Sequence, residues 1–105
     1  MNQDLQKKLD QVRLEYSKGL PKRVEDIENS WNILSNQWSK EEEKEFHQKV
    51  HGLHGSAATF GYKEISEIAN ELENIIRNIP NDNLSNKIKE KITKLIQELK
   101  IKIKV

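Results

Sequence analysis

The residues best suited to chemistry are three histidines, His47, His51 and His54, spaced four and three positions apart. At about 100° per residue in a helix, this spacing places all three on one face. A neutral imidazole nitrogen is a competent nucleophile, and its phosphorylated form is reactive enough to hand the phosphoryl group onward. The spacing therefore indicates either an accessible nucleophilic imidazole or a set of metal-ligating imidazoles.

Small residues surround His51 and leave its imidazole open to an approaching molecule. Gly52 and Gly55 each weaken a helix by about 1 kcal/mol relative to alanine. Ala58 continues this patch of small side chains, and Ser56 adds a hydroxyl one turn from Gly52. Because a glycine on a solvated helix face packs against nothing, we interpret the two glycines as residues that keep the imidazole accessible.

The composition indicates one modest domain. With 105 residues, of which 34% are hydrophobic, the chain can bury a single small core. Its formal net charge of +1 gives no electrostatic reason to bind nucleic acid or an anionic membrane. The absence of cysteine excludes disulfides and cysteine-ligated zinc, and the short apolar runs predict neither a signal peptide nor a membrane span. We expect a soluble, cytoplasmic, monomeric domain.

Helical periodicity of the apolar residues predicts an all-α domain over residues 1–105. A short amphipathic helix over residues 1–19 ends at a glycine, and Pro21 suits the first turn of the next helix. Four substantial helices within residues 21–103, joined by short connections, predict an antiparallel, up-and-down four-helix bundle. The additional N-terminal helix is expected to cap one end of the bundle, and the clearest turn lies at residues 80–83.

The three histidines lie on the third predicted helix. Ser39 and Glu42 form a capping box that begins this helix at about residue 40, and Gly61 ends or bends it. Its core-facing residues cluster within roughly 80° of one another. They are Phe46, Val50, Leu53, Ala57 and Phe60. The histidine stripe is centred roughly 110° away, so the imidazoles are predicted at the rim of the core.

The motif around His51 resembles that of the histidine-containing phosphotransfer (HPt) domain of two-component phosphorelays. The matching residues are His51-x-Leu53-x-Gly55-Ser56-Ala57, then Phe60-Gly61 and, on the next helix, Leu72-Glu73. Upstream, Tyr16 and the segment "GLPKRVEDIENSW" are similar to the family's approach to its second helix. The resemblance implies that His51 takes a phosphoryl group from an aspartyl phosphate on one receiver domain and gives it to the aspartate of another.

The resemblance also implies the partners of the chain and the roles of neighbouring residues. The partners would be receiver domains of response regulators or hybrid histidine kinases, which carry the Mg²⁺ and most catalytic groups. The chain itself would then need no cofactor and would be a phosphocarrier rather than an enzyme. Leu53 would hold the helix in the core, and Gly55 would admit the receiver. Further contact or supporting positions are His47, Gly52, His54, Ser56 and Ala58.

One position departs from the family pattern. The family usually has lysine where this chain has His54. A permanent cation there would steady the negative charge of the phosphoryl group, whereas a neutral histidine offers one hydrogen bond. We therefore expect His54 to affect the lifetime and transfer rate of the phosphorylated form without changing the identity of the acceptor.

Two alternatives stay open at this stage. His47, His51 and His54 would hold Zn²⁺ or Ni²⁺ in a metal-binding bundle, with Glu43 as a fourth ligand one turn before His47. The competing expectation is that the chain has no resident metal. Alternatively, the chain is a degenerate HPt-like module that docks a receiver without transferring phosphate, since a fold alone does not fix a function.

Overall fold

The computed structural model describes residues 3–79 and 84–103, and these residues form four α-helices and no strand. The helices are α1 (Gln3–Asn36), α2 (Lys40–Thr59), α3 (Lys63–Arg77) and α4 (Asn86–Lys102). The all-α prediction is confirmed. None of the helices in these ranges combines the length and apolar character needed to span a membrane.

The four helices pack in a ring. Helix α2 contacts α1 and α3, and α4 contacts α3 and α1. Consecutive helices are therefore neighbours, as the short connections of an up-and-down bundle require. The large side chains buried most completely in the shared core are Val24, Ile27, Leu34, Phe46, Val50, Leu53, Leu72, Ile92, Ile96 and Leu99. This core fixes the rotation of α2 and so decides which of its faces meets solvent.

The predicted break between two helices at residues 19–21 is wrong, because α1 runs without interruption from Gln3 to Asn36. Pro21 has no N–H to donate to the carbonyl of Ser17, which normally weakens a helix interior. Pro21 is exposed, so water can hydrate that carbonyl. Leu20 and Val24 on either side are buried in the core, and their packing favours a continuous helix over the local preference of the proline.

The N-terminal part of α1 extends along the long axis and does not cap the bundle as predicted. A helix of 34 residues is about 51 Å long, which accounts for most of the 53 Å length of the molecule. The apolar stripe expected on this segment consists of Leu5, Leu9, Val12 and Tyr16. Tyr16 is buried, whereas Leu5, Leu9 and Val12 each remain nearly half exposed. The described helices therefore cover only the last residue of the stripe.

The two ends of α2 agree with the prediction. The Ser39 hydroxyl caps the first turn by accepting a hydrogen bond from the Glu42 N–H at 3.1 Å. At the other end Gly61 has φ +83°, a left-handed conformation that glycine adopts without strain. The N–H groups of Gly61 and Tyr62 donate to the carbonyls of Ala58 and Ala57, the hydrogen-bond pattern of a Schellman motif. Both ends of the histidine-bearing helix are thus fixed by local chemistry.

Helix α4 also begins at a serine cap, because the Ser85 hydroxyl accepts a hydrogen bond from the Ile88 N–H. The core-facing apolar residues of α3 and α4 are buried or pack against the core. They are Ile65, Ile68, Ala69, Leu72, Ile75, Ile76, Ile88, Ile92, Leu95, Ile96 and Leu99. The predicted turn at residues 80–83 lies outside the described residues, and α4 continues to Lys102.

Candidate functional site

The histidine face of α2 lies at the rim of the core, as the periodicity predicts. Phe46, Val50, Leu53 and Ala57 are buried, and Phe60 is partly buried. The His51 side chain is 64% exposed, whereas those of His47 and His54 are about one-third exposed. His51 is therefore the histidine that an approaching molecule meets first.

A buried carboxylate on α3, that of Glu73, lies beneath the three histidines. Its side chain is only 3% exposed, because Glu73 lies on the core-facing side of α3 between the buried Leu72 and Ile76. Its Oε2 atom is hydrogen-bonded to Nδ1 of His51. The packing of α3 on α2 thus brings an acidic group to one specific nitrogen of the most exposed histidine.

Three further groups surround the Glu73 carboxylate. His54 Nδ1 lies 3.4 Å from Oε1, and Arg77 Nη2 lies 3.7 Å from the same oxygen. His47 Nε2 lies 3.4 Å from Oε2, although it is buried and makes no hydrogen bond within the described chain. Each of the three histidines therefore has one ring nitrogen beside the Glu73 carboxylate of α3.

The carboxylate of Glu73 is held in its ionised form despite its burial. Burial alone would raise the pKa of Glu73, but the hydrogen bond from His51 and the charges of His51, Arg77 and His47 outweigh this effect and lower the pKa below its usual value. An ionised carboxylate can only accept hydrogen bonds. The proton between the two side chains therefore belongs to Nδ1 of His51.

In the neutral form of His51, a proton on Nδ1 leaves the free lone pair on Nε2. In a neutral imidazole one nitrogen carries the proton and the other is available for bonding. With Nδ1–H donating to Glu73, the available nitrogen of the 64% exposed side chain is Nε2. The arrangement orients a nucleophile toward solvent and supplies an anion for the positive charge that develops on the ring when Nε2 forms a bond.

Gly52 and Gly55, the two glycines beside His51, border open space. A Cβ atom built on either glycine meets nothing within 4 Å beyond its chain neighbours and the backbone of α2. Both positions, like Ala58, are exposed. Packing among the described residues does not require glycine there, and the surface of α2 next to His51 has room for a second molecule.

Ser56, predicted as a supporting residue, forms its hydrogen bonds with α1 and with the backbone of α2. Its Oγ lies 2.7 Å from the Tyr16 hydroxyl, and it also donates to the Leu53 carbonyl at 3.5 Å. Tyr16 stacks on Phe60 with ring centroids 4.6 Å apart. The serine thus fixes the position of α2 against α1.

The register of α2 on α3 is set partly by a serine on the other helix. Ser66 Oγ donates to the His54 carbonyl at 3.0 Å. Because Ser66 and Glu73 lie two turns apart on α3, this bond and the Glu73–His51 bond together define how the two helices align.

Glu73 is the residue that sequence reasoning undervalued. It appeared only as part of the Leu72-Glu73 pair of the family motif, without a role in the site. The available signal was an acidic residue beside an apolar stripe, with Ala69 four positions before it and Ile76 three positions after it. An acidic residue on a core-facing stripe needs a partner, and the histidines supply it.

The structure does not bring ligand atoms of all three histidines together, as the predicted metal site would require. His47 and His51 have ring centroids 6.2 Å apart. Among the described residues, the ligand atoms that approach one another belong to His51, His54 and Glu73, all within 4.8 Å. Glu43 is not a member of this group. The converging ligands therefore combine two histidines of α2 with a carboxylate of α3, and they leave out His47.

Comparison with known families agrees with the all-α fold. The Hpt domain family model matches residues 4–101, almost the whole chain. The chain belongs to the Hpt domain family, whose members are in general histidine phosphocarriers of phosphorelays and act with receiver domains. No curated protein and no solved structure shows a significant match to it.

Proposed function

We propose that this chain is a phosphocarrier in which Nε2 of His51 accepts a phosphoryl group from a receiver aspartate and gives it to the aspartate of another receiver. The observation that carries the proposal is the Glu73 carboxylate at Nδ1 of an exposed histidine. It leaves one nitrogen accessible and defines which one. The exposed glycines on the same face leave room for a receiver domain.

The transfer is a substitution at phosphorus. The Nε2 lone pair forms the N–P bond as the bond between phosphorus and the aspartyl oxygen breaks, and the receiver carboxylate leaves with that electron pair. His51 keeps its Nδ1 proton, so the ring becomes a phosphorylated imidazolium whose positive charge faces Glu73. In the forward transfer an aspartate oxygen of the second receiver attacks phosphorus, and the neutral imidazole is the leaving group.

The rest of the chemistry is assigned to the partner. We expect the Mg²⁺ and the groups that stabilise the transferring phosphoryl to lie on the receiver, which leaves this chain to position the nucleophile. The chain would then act as a monomer, without a cofactor of its own, in the cytoplasmic signal transduction of a two-component regulatory system.

The proposal is tested by phosphotransfer followed by identification of the modified residue. The intact chain is incubated with a panel of phosphorylated receivers and Mg²⁺, and the label on the chain is followed over time. We expect an acid-labile label that maps to His51 and that moves to a second, unphosphorylated receiver. Absence of label with every receiver would favour a module that docks without transfer.

The role of Glu73 predicts a loss of rate when its charge is removed. Glu73→Gln still accepts a hydrogen bond from His51, but it no longer balances the imidazolium charge that forms during transfer. Charge-assisted hydrogen bonds exceed neutral ones by about 1 kcal/mol, so we expect the transfer rate to fall about fivefold. Single-turnover transfer from one phosphorylated receiver measures this rate.

Glu71→Gln provides the matched control for this prediction. Glu71 is exposed on the same helix, and the substitution makes the same chemical change away from the histidines. Its transfer rate should stay within about twofold of the parent. Equal rates for Glu73→Gln and Glu71→Gln would show that the buried carboxylate does not assist the transfer.

Because the family usually has lysine at the position of His54, we expect a lysine there to lengthen the lifetime of phosphorylated His51. In a helix, a residue three positions after His51 lies on the same face, and the His54 side chain is 33% exposed. A lysine cation at this position would pair with the phosphoryl group in partly solvated surroundings, which screens the interaction. We expect His54→Lys to lengthen the lifetime of phospho-His51 about threefold.

The lifetime is measured by the loss of label from the purified phosphorylated chain, without any receiver. His54→Gln serves as the neutral comparison, because it keeps hydrogen bonding but adds no charge. An equal or shorter lifetime for His54→Lys than for His54→Gln would exclude a contribution of charge at this position.

A further inference from the structure

The cluster formed by His51, His54 and Glu73 has the donor types and spacing of a transition-metal site. His54 Nδ1 lies 3.4 Å from one Glu73 oxygen, and Nδ1 of His51 contacts the other. Donor atoms bound to one tetrahedral Zn²⁺ lie about 3.3 Å apart. The ligand atoms of this cluster all lie within 4.8 Å of one another, which is within about 1.5 Å of the spacing that one Zn²⁺ requires.

We propose that His51, His54 and Glu73 form an inhibitory Zn²⁺ site, in which metal binding and phosphoryl acceptance by His51 exclude each other. The binding half of this inference stands on the cluster alone, and the exclusion rests on the proposed phosphocarrier function. Two imidazoles and one carboxylate are a ligand set that Zn²⁺ accepts, with water completing the coordination. The Mg²⁺ used by receivers prefers oxygen ligands and does not compete for this set.

Zn²⁺ binding and phosphorylation of His51 exclude each other because of the nitrogen that coordinates the metal. Binding through Nδ1 of His51 uses the lone pair on that atom, so the single proton of the neutral imidazole moves to Nε2 through solvent. Nε2 then has no free lone pair with which to attack phosphorus. The metal also occupies the Glu73 carboxylate, which would otherwise balance the charge on the phosphorylated ring.

His47 allows this site to be distinguished from simple binding to a histidine-rich helix. His47 lies one turn before His51 but is not among the converging ligands. In the proposed site the loss of His54 weakens binding, whereas the loss of His47 does not. Adventitious binding along the helix depends on the number of histidines and would weaken equally in both variants.

The first experiment measures Zn²⁺ binding by the intact chain in competition with a chelating indicator. We expect one Zn²⁺ per chain in the parent, an affinity about tenfold lower or weaker still in His54→Gln, and an affinity within about twofold of the parent in His47→Gln. Equal losses in the two variants, or no binding by the parent, would overturn the site. Both measurements are independent of phosphotransfer.

The second experiment measures transfer from a phosphorylated receiver with and without Zn²⁺ in the presence of excess Mg²⁺. Each rate is divided by the metal-free rate of the same variant. We expect Zn²⁺ to slow the parent about tenfold at concentrations that nearly saturate the site, a chelator to restore the rate, and His54→Gln to need about tenfold more Zn²⁺ for the same inhibition.

The parent and His54→Gln are assayed with the same receiver, so inhibition of the receiver by Zn²⁺ would slow both equally. Equal inhibition of the two proteins would therefore overturn the proposal that Zn²⁺ binding prevents phosphorylation of His51. If the metal-free parent transfers no phosphoryl group, the proposed function fails and the exclusion fails with it. The competition experiment still decides in that case whether the metal site exists.

Discussion

His51→Gln is expected to lose the phosphoryl label completely, a fall of about 10³-fold or more in the transfer rate, because the substitution removes the nucleophile. The fold should persist, since the His51 side chain is 64% exposed and does not belong to the hydrophobic core. Glutamine also retains an N–H₂ group that can donate to the buried Glu73 carboxylate, so the charge is not left without a donor. Receiver-dependent labelling measures the transfer, and thermal unfolding followed by circular dichroism measures the fold.

His47→Gln is the control for this substitution, because it makes the same change one turn away. His47→Gln should still become labelled on His51, even if the rate of labelling changes, whereas His51→Gln should carry no label. Label that persists on His51→Gln would place the acceptor on His47 or His54, both of which also approach Glu73. That result would contradict the assignment of His51 as the phosphoryl acceptor.

The parts of the fold that the sequence predicts correctly are those decided by local chemistry. Ser39 provides a hydroxyl for the first turn of α2, and Gly61 supplies the left-handed residue that ends it. The core stripe of α2 follows from spacing alone, since Phe46, Val50 and Leu53 must share a face if the segment is helical. Such features need no knowledge of the other helices.

The continuity of α1 was not predictable in the same way. Gly19 and Pro21 are both unfavourable in a helix interior, so the local preference is for a break. The helix continues because Tyr16, Leu20 and Val24 are buried on one side of that segment. This burial depends on how α1 meets the other helices, which the sequence of α1 alone does not contain.

The site shows the same division between local and tertiary information. The shared face of the three histidines follows from their spacing, but the choice of Nε2 on His51 depends on a carboxylate 22 residues away. Only the packing of α3 on α2 brings Glu73 to Nδ1. The register that Ser66 helps to fix therefore determines which nitrogen of His51 meets the carboxylate, whereas the sequence motif indicates only the residue.

Gly55→Trp is expected to separate stability from function. Tryptophan favours a helix over glycine by roughly 0.5 kcal/mol, and a Cβ at position 55 meets nothing within 4 Å, so the free energy of unfolding should stay equal to the parent's or rise slightly. The same indole fills the space beside His51 that we assign to the receiver. Loss of close packing at the centre of an interface costs about 2 kcal/mol or more, which corresponds to about a 30-fold fall in the efficiency of transfer at subsaturating receiver.

Two comparisons isolate the effect of bulk at position 55. Gly55→Ala adds one carbon atom, so it should raise the free energy of unfolding by about 1 kcal/mol and reduce transfer far less than Gly55→Trp. Gln97→Trp adds an indole to an exposed position of α4, the helix diagonal to α2 in the ring, and should transfer at the parent rate. Denaturant unfolding gives the stabilities, and transfer at several receiver concentrations distinguishes weaker docking from slower chemistry. If Gly55→Trp transfers as well as Gln97→Trp, the receiver does not approach over Gly55, and the glycines beside His51 need another explanation.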